Sequence, residues 1–322
     1  MGDISAELLS ASTVAIRDCM GARAGERVLV VTDEPLRTIG FALQQAARGL
    51  GLDVLLVDML PRRSNGEEPP PEVADLMTRA DIVLCPTSKS LTHTDSRRAA
   101  SLAGARVATL PGVTEAIMVR CMNANYHEIA ARTHRLCERL ERTKAVRVTA
   151  PGGTDITMPI AGRQAHASSG LFREKGQWGN LPTGEAYLAP LEGQSEGVVV
   201  VDGSMAGIGL LRQPIRITVE HGYATDIAGG ADAQQLIALL EPHGRDARTV
   251  AEFGIGTNDK ATLTGVILED EKVMGTIHVA FGDNKSMGGT VRVASHLDGL
   301  VKNPTVWFDG VKVMEDGRLL IG

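Results

Sequence analysis

Two imidazoles and a carboxylate stand between positions 278 and 298, in Gly275-Thr-Ile-His278-Val-Ala-Phe-Gly-Asp283 and Ser295-His296-Leu297-Asp298-Gly299. Alternate side chains of a strand share one face, so His296 and Asp298 point the same way and can hold one cation. Thr276, His278 and Ala280 share a face of the preceding strand-like segment, which lets His278 meet the pair where the two strands lie side by side. The bland alternative for a His-x-Asp pair is an imidazole merely hydrogen-bonded to a carboxylate, and the triplet leaves both open. Acids earlier in the chain add weight to a metal site. Glu252 lies in a short apolar run, Val250–Thr257, where a carboxylate needs a partner if it is buried. Glu185 opens a strand-like segment after the Pro/Gly-punctuated loop Asn180-Leu-Pro-Thr-Gly, and loops beside strand ends are where active-site groups tend to sit. Taken singly, each glutamate also reads as a solvated or ion-paired residue.

The elements that must position these groups fall into two halves. In the first, apolar runs at Arg27–Thr32, Asp53–Asp58, Asp81–Cys85 and Arg106–Thr109 alternate with helical patterns at Pro35–Leu50, Glu72–Arg79 and Ser96–Ala103. A long helical stretch, Asn123–Arg142, closes the unit. Such alternation predicts an α/β domain, residues 1–143, with a Rossmann-like, mostly parallel sheet covered on both faces. From Lys144 short, turn-bounded β segments take over (Ala145–Thr149, Gly197–Asp202, Ile215–Val219, Thr305–Asp309), with one clear helix at Asp232–Leu240. Residues 144–322 therefore read as an α+β domain rich in antiparallel strand. His93 and Arg97 follow the third strand directly, where ligands of open α/β sheets bind, and are candidate substrate-binding residues; a solvated loop with helix-capping Thr94 and Ser96 is the alternative.

Composition removes several function classes. The net charge is −6 and aromatics make up 3%, which offers neither the basic stripe nor the stacking platform of a nucleic-acid binder. No apolar run reaches the roughly 20 residues that span a bilayer. The acidic N-terminal stretch is unlike a signal peptide, so a cytoplasmic enzyme is expected. Cys19, Cys85, Cys121 and Cys137 form no Cys-x-x-Cys and read as free buried thiols. Gly254-Ile-Gly256 does not continue into a dinucleotide fingerprint.

With these residues assembled, the second half resembles the M29 metallo-aminopeptidases, the aminopeptidase T/S group. The likeness rests on Asn180-Leu-Pro-Thr-Gly-Glu185-Ala-Tyr-Leu-Ala-Pro190, on Ala251-Glu252-Phe-Gly, on His278-Val-Ala-Phe-Gly and on His296-Leu-Asp298, in that order along the chain. The resemblance implies five metal ligands, Glu185, Glu252, His278, His296 and Asp298, holding two ions of Zn²⁺, Mn²⁺ or Co²⁺ in a homodimeric enzyme. A shared water of lowered pKa would then attack an amide carbonyl, which makes a metal-dependent, aminopeptidase-like hydrolase of short peptides or small amides the leading expectation. Where the peptidases carry a tyrosine seven residues after the first histidine this chain has Lys285, a candidate oxyanion donor. Glu269, Glu271 or a metal-bound carboxylate is the candidate general base, although Asp270 and Glu271 also read as an exposed acidic turn. The resemblance extends to the 2,5-dihydroxypyridine dioxygenases, which use the same superfamily fold and are iron enzymes with a matching His-x-Asp and a histidine at the position of Glu252. A mononuclear Fe(II) ring-cleaving dioxygenase is thus the second expectation. The retained Glu252 and the additional His278 favour the two-metal hydrolase.

Overall fold

The computed structural model describes residues 4–321. The chain divides into two compact units, residues 1–128 with 170–183 and residues 129–169 with 184–322. The chain thus crosses between units more often than the single break expected near residue 143 allows. Residues 170–183 return to the first unit because they carry a strand that extends its sheet.

Helix α1 (Ala6–Val14) precedes β1 (Arg27–Asp33), α2 (Arg37–Gly49), β2 (Asp53–Met59), α3 (Pro71–Arg79), β3 (Ile82–Cys85), α4 (Asp95–Leu102), β4 (Arg106–Thr109) and α5 (Glu115–Met122). Helix α6 (Tyr126–Leu140) follows, then β5 (Ala145–Thr149), β6 (Asp155–Pro159), β7 (His166–Ser168) and β8 (Trp178–Asn180). In the first unit β2-β1-β3-β4-β8 form a parallel sheet. β3 and β4 are buried throughout, as strands covered on both faces must be. Helix α2 buries Ile39, Ala42, Leu43, Ala46 and Ala47 at helical spacing. Gly40 lets it approach the sheet closely, since a Cβ there would lie 2.8 Å from Thr32. The single helix expected over 123–142 is in fact preceded by a second one, α5, capped by the Thr114 hydroxyl accepting from the Ile117 amide. All four cysteines are free and buried.

The second unit continues with β9 (Glu185–Leu188), β10 (Glu196–Val201), β11 (Ser204–Met205), β12 (Gly209–Leu210), β13 (Ile215–Glu220), β14 (Tyr223–Ala228) and α7 (Gly230–Leu240). After it come β15 (Val250–Gly256), the short α8 (Ile267–Asp270), β16 (Thr276–Gly282), β17 (His296–Lys302), β18 (Thr305–Phe308), β19 (Val311–Glu315) and β20 (Arg318–Leu319). Among the described residues these strands form two antiparallel sheets, ordered β14-β13-β10-β6-β5-β18-β19-β20 and β12-β11-β17-β16-β15-β9-β7. A shared core takes Val146, Val148 and Ile156 from the first and Phe253, Ile255, Ile277, Val279, Phe281 and Val301 from the second. No helix among the described residues is long and apolar enough to cross a membrane.

Candidate metal centre

Strand alternation builds the site. On β16, Ile277, Val279 and Phe281 enter the core, which turns Thr276, His278 and Ala280 to the opposite face. On β15, Phe253 and Ile255 do the same and leave Glu252, Gly254 and Gly256 facing away. The antiparallel register carries that face across four strands. Glu252 pairs with Ala280 and Ala280 with Asp298; Gly254 pairs with His278, Gly282 with His296, and Gly256 with Glu185. All five expected ligands therefore share one sheet face.

Two glycines make the face habitable. A Cβ at Gly254 would overlap the His278 imidazole, so this glycine is the seat on which the ring lies. A Cβ at Gly256 would overlap the Val273 carbonyl and lie 2.8 Å from the Lys272 carbonyl carbon, so this one lets the 272–273 backbone rest on β15. Gly254-Ile-Gly256 is thus a double cradle rather than a nucleotide loop.

The side chains converge at short range. His278 Nε2 lies 3.1 Å from Glu252 Oε1 and 3.7 Å from Glu185 Oε2. His296 Nε2 lies 3.2 Å from Glu252 Oε2 and 3.4 Å from Asp298 Oδ1. Its Nδ1 donates to the Asp283 carbonyl at 2.7 Å, which leaves Nε2 as the inward-facing nitrogen. The His278 side chain is 1% exposed and that of His296 31%, so the cluster opens on the His296 side.

Electrostatics follow from this crowding. Burial alone pushes the His278 pKa down, but its hydrogen bond to Glu252 and the charges of Glu252, Glu185 and Glu271 raise it to about 9. Burial likewise opposes the His296 shift, and Asp298 and Glu252 overcome it, holding that imidazole well above its usual range. Glu252 and Asp298 resist the upward push of burial and are held low by the two histidines.

Sequence reasoning missed Lys272. Its ammonium is buried and donates to Glu185 Oε1 at 2.7 Å and to Glu271 Oε2 at 2.5 Å. Burial favours the neutral amine, yet the two carboxylates more than offset this and raise its pKa. The exposed acidic turn expected around Asp270 and Glu271 does not form. Asp270 is fully buried and accepts from the Thr264 and Gly265 amides, and Glu271 adjoins Asp298, with burial raising its pKa to about 8. Glu269 is buried too and accepts from the Thr262 amide, a loop-holding role. In a Glu-Asp-Glu-Lys run nothing marks the lysine as interior. Lys285, by contrast, is exposed, and its ammonium takes no part in the described contacts of the cluster. A lysine does serve this site, but from position 272.

His93 and Arg97 belong to the first unit and flank Trp178. The Arg97 guanidinium stacks 3.7 Å from the ring centroid and His93 meets it edge-on at 6.3 Å. Arg97 Nε donates to the Thr92 carbonyl at 2.8 Å, and burial lowers its pKa to about 10.

The donor set fits a divalent cation. Two groups can each hold an ion, Glu185–Glu252–His278 and Glu252–His296–Asp298, with Glu252 common to both. Glu185 Oε2 is buried without a hydrogen-bond partner and lies 3.7 Å from His278 Nε2, so this carboxylate is tied to the cluster through its other oxygen, on Lys272. Mixed imidazole and carboxylate donors suit first-row divalent metals.

Comparison with known proteins gives this donor set a family. The family model for NicX, 2,5-dihydroxypyridine 5,6-dioxygenase, matches residues 9–321. The 2,5-dihydroxypyridine 5,6-dioxygenase of Pseudomonas putida KT2440 is 24% identical over 194 residues, a match that spans 56% of this chain and only 55% of that relative. The solved structure of 2,5-dihydroxypyridine dioxygenase from Pseudomonas putida KT2440 superposes with a TM-score of 0.85 at 18% identity, covering 99% of each chain. AmpT from Thermus thermophilus superposes at 0.71 and 18% identity, covering 98% of this chain and 99% of that one. The peptidase likeness is thus one of fold, and the expected aminopeptidase-like hydrolase is overturned by the family match. The expectation failed because ligand types alone do not encode a reaction: imidazoles and carboxylates on one sheet face serve hydrolysis and oxygen chemistry alike. The chain belongs to the 2,5-dihydroxypyridine 5,6-dioxygenase family.

Proposed function

We propose that the chain is an Fe(II)-dependent dioxygenase that opens a hydroxylated pyridine ring. The family match over residues 9–321 carries this reading, and the clustered donors support it. Glu252, His296 and Asp298, on the open side of the cluster, would hold the ion, with His278 behind them bonded to Glu252. Ferrous iron, when bound, supplies the redox chemistry and open coordination positions that a reaction with dioxygen needs.

The chain's own residues prepare that site. Asp283 fixes the His296 tautomer through its carbonyl. Glu252 spends one oxygen on each imidazole, which ties the two histidines to one carboxylate. Glu271, set between Lys272 and Asp298, is the carboxyl placed to hold or pass a proton beside the ion. The test is dioxygen consumption by ferrous-loaded protein with 2,5-dihydroxypyridine. The expected result is one O₂ consumed per ring opened, abolished in His296→Ala and Asp298→Ala. Iron-saturated protein that leaves hydroxypyridines and dioxygen untouched overturns the reading.

A further inference from the structure

We infer that Lys272 is a resident cation that takes the place of a second metal ion at the inner end of the cluster, and so sets the metal count of the centre. The inference rests on the metal-centre reading above but not on the reaction. The donor set offers two candidate groups for an ion, and they share Glu252. The inner group, however, already contains a positive charge. Lys272 Nζ sits 2.7 Å from Glu185 Oε1, and the Lys272 side chain is 4% exposed. A divalent ion bound through Glu185 would sit close to this ammonium, with little water to screen the repulsion.

The charge balance agrees. Glu185, Glu252, Glu271 and Asp298 are the acids in contact here, and Lys272 is the cation among them. Counting the four carboxylates as ionised and the imidazoles as neutral, the lysine and one divalent ion nearly neutralise the cluster, leaving a single negative charge. A second divalent ion would leave the buried site positive. Without the lysine, two divalent ions would balance the four carboxylates. The backbone shows that the placement is built in: Gly256 stands opposite Glu185 in the register, and its missing side chain is what lets the 272–273 segment lie there. The Lys272 carbonyl also accepts from the Asn258 amide at 2.9 Å, which anchors the segment.

Metal count read with Mn²⁺ or Co²⁺ tests this independently of oxygen chemistry, since neither needs turnover to be seen. Wild-type protein dialysed to saturation is expected to hold one equivalent per chain by elemental mass spectrometry, Lys272→Gln two, and Lys272→Arg, which restores the cation, one. Lys272→Met serves in place of Lys272→Gln if the latter does not fold. Two tightly held equivalents in the wild type, or one in both uncharged variants, overturns the inference. A wild-type count of one with two in the uncharged variants sustains it even if no dioxygenase activity is found.

Discussion

The two faces of the β15–β16 pair are made from adjacent residues and obey opposite physics. Phe253, Ile255, Ile277, Val279 and Phe281 gain by leaving water, and their face needs nothing further. Glu252 and His278, one position away, are as deeply buried but lose solvation, so their face is stable only through mutual pairing and a cation. The lesson is that one strand register does both tasks: what packs the core also aims the ligands.

Removing a donor should separate the faces most sharply. Glu252→Ala strips the acid that both candidate groups share, and metal affinity should fall by more than about 100-fold, beyond the usual effect of losing a supporting partner; isothermal titration with Mn²⁺ reads it. Melting should change far less, and an unaltered Mn²⁺ affinity would remove Glu252 from the site. Phe253→Ala is the mirror experiment on the apolar face. It should cost about 3–5 kcal/mol in urea unfolding, while the folded fraction still binds metal normally.

A subtler change crosses the sheet. Gly254→Ala puts a methyl where the His278 ring lies. Displacing that imidazole from Glu252 should lower metal affinity by about 10–100-fold with the apolar core intact. Unchanged affinity would show that the ring does not need its glycine seat.

The smallest effect expected is a pH dependence of the metal-free protein. His278 has its folded pKa raised to about 9, so its contribution is fully present below the unfolded value of about 6.5 and is lost as pH rises through 9. Glu271, raised to about 8, acts in the same direction. The metal-free melting temperature should therefore fall between about pH 6.5 and 9, and bound metal should reverse the trend, because it replaces the protons. A melting temperature that climbs over this window without metal would contradict the assigned pairings.

Much of this was legible in the chain. The parallel sheet of the first unit followed from apolar runs alternating with helical spacing, and β1 and β4 begin where those runs do. The shared face of His296 and Asp298 followed from a period of two, and the family resemblance carried the other three candidates to the same face. Three things were not legible. Residues 170–183 rejoin the first unit through a three-residue strand, too short to show a period. Lys272 sits in a charged run whose local pattern is that of a solvated turn, and only the cradle at Gly256 brings it inside. The reaction itself does not follow from Glu252 and His278, because imidazole and carboxylate donors are common to hydrolysis and oxygen chemistry.

The central claim is that the face shared by β9, β15, β16 and β17 holds the metal. Anomalous scattering at the iron edge from crystals loaded with Fe(II) under anaerobic conditions tests it most directly. The account predicts one strong peak within bonding distance of Glu252, His296 and Asp298, and none between Glu185 and Lys272. Iron bound elsewhere, with these three side chains bonded only to one another, would contradict it.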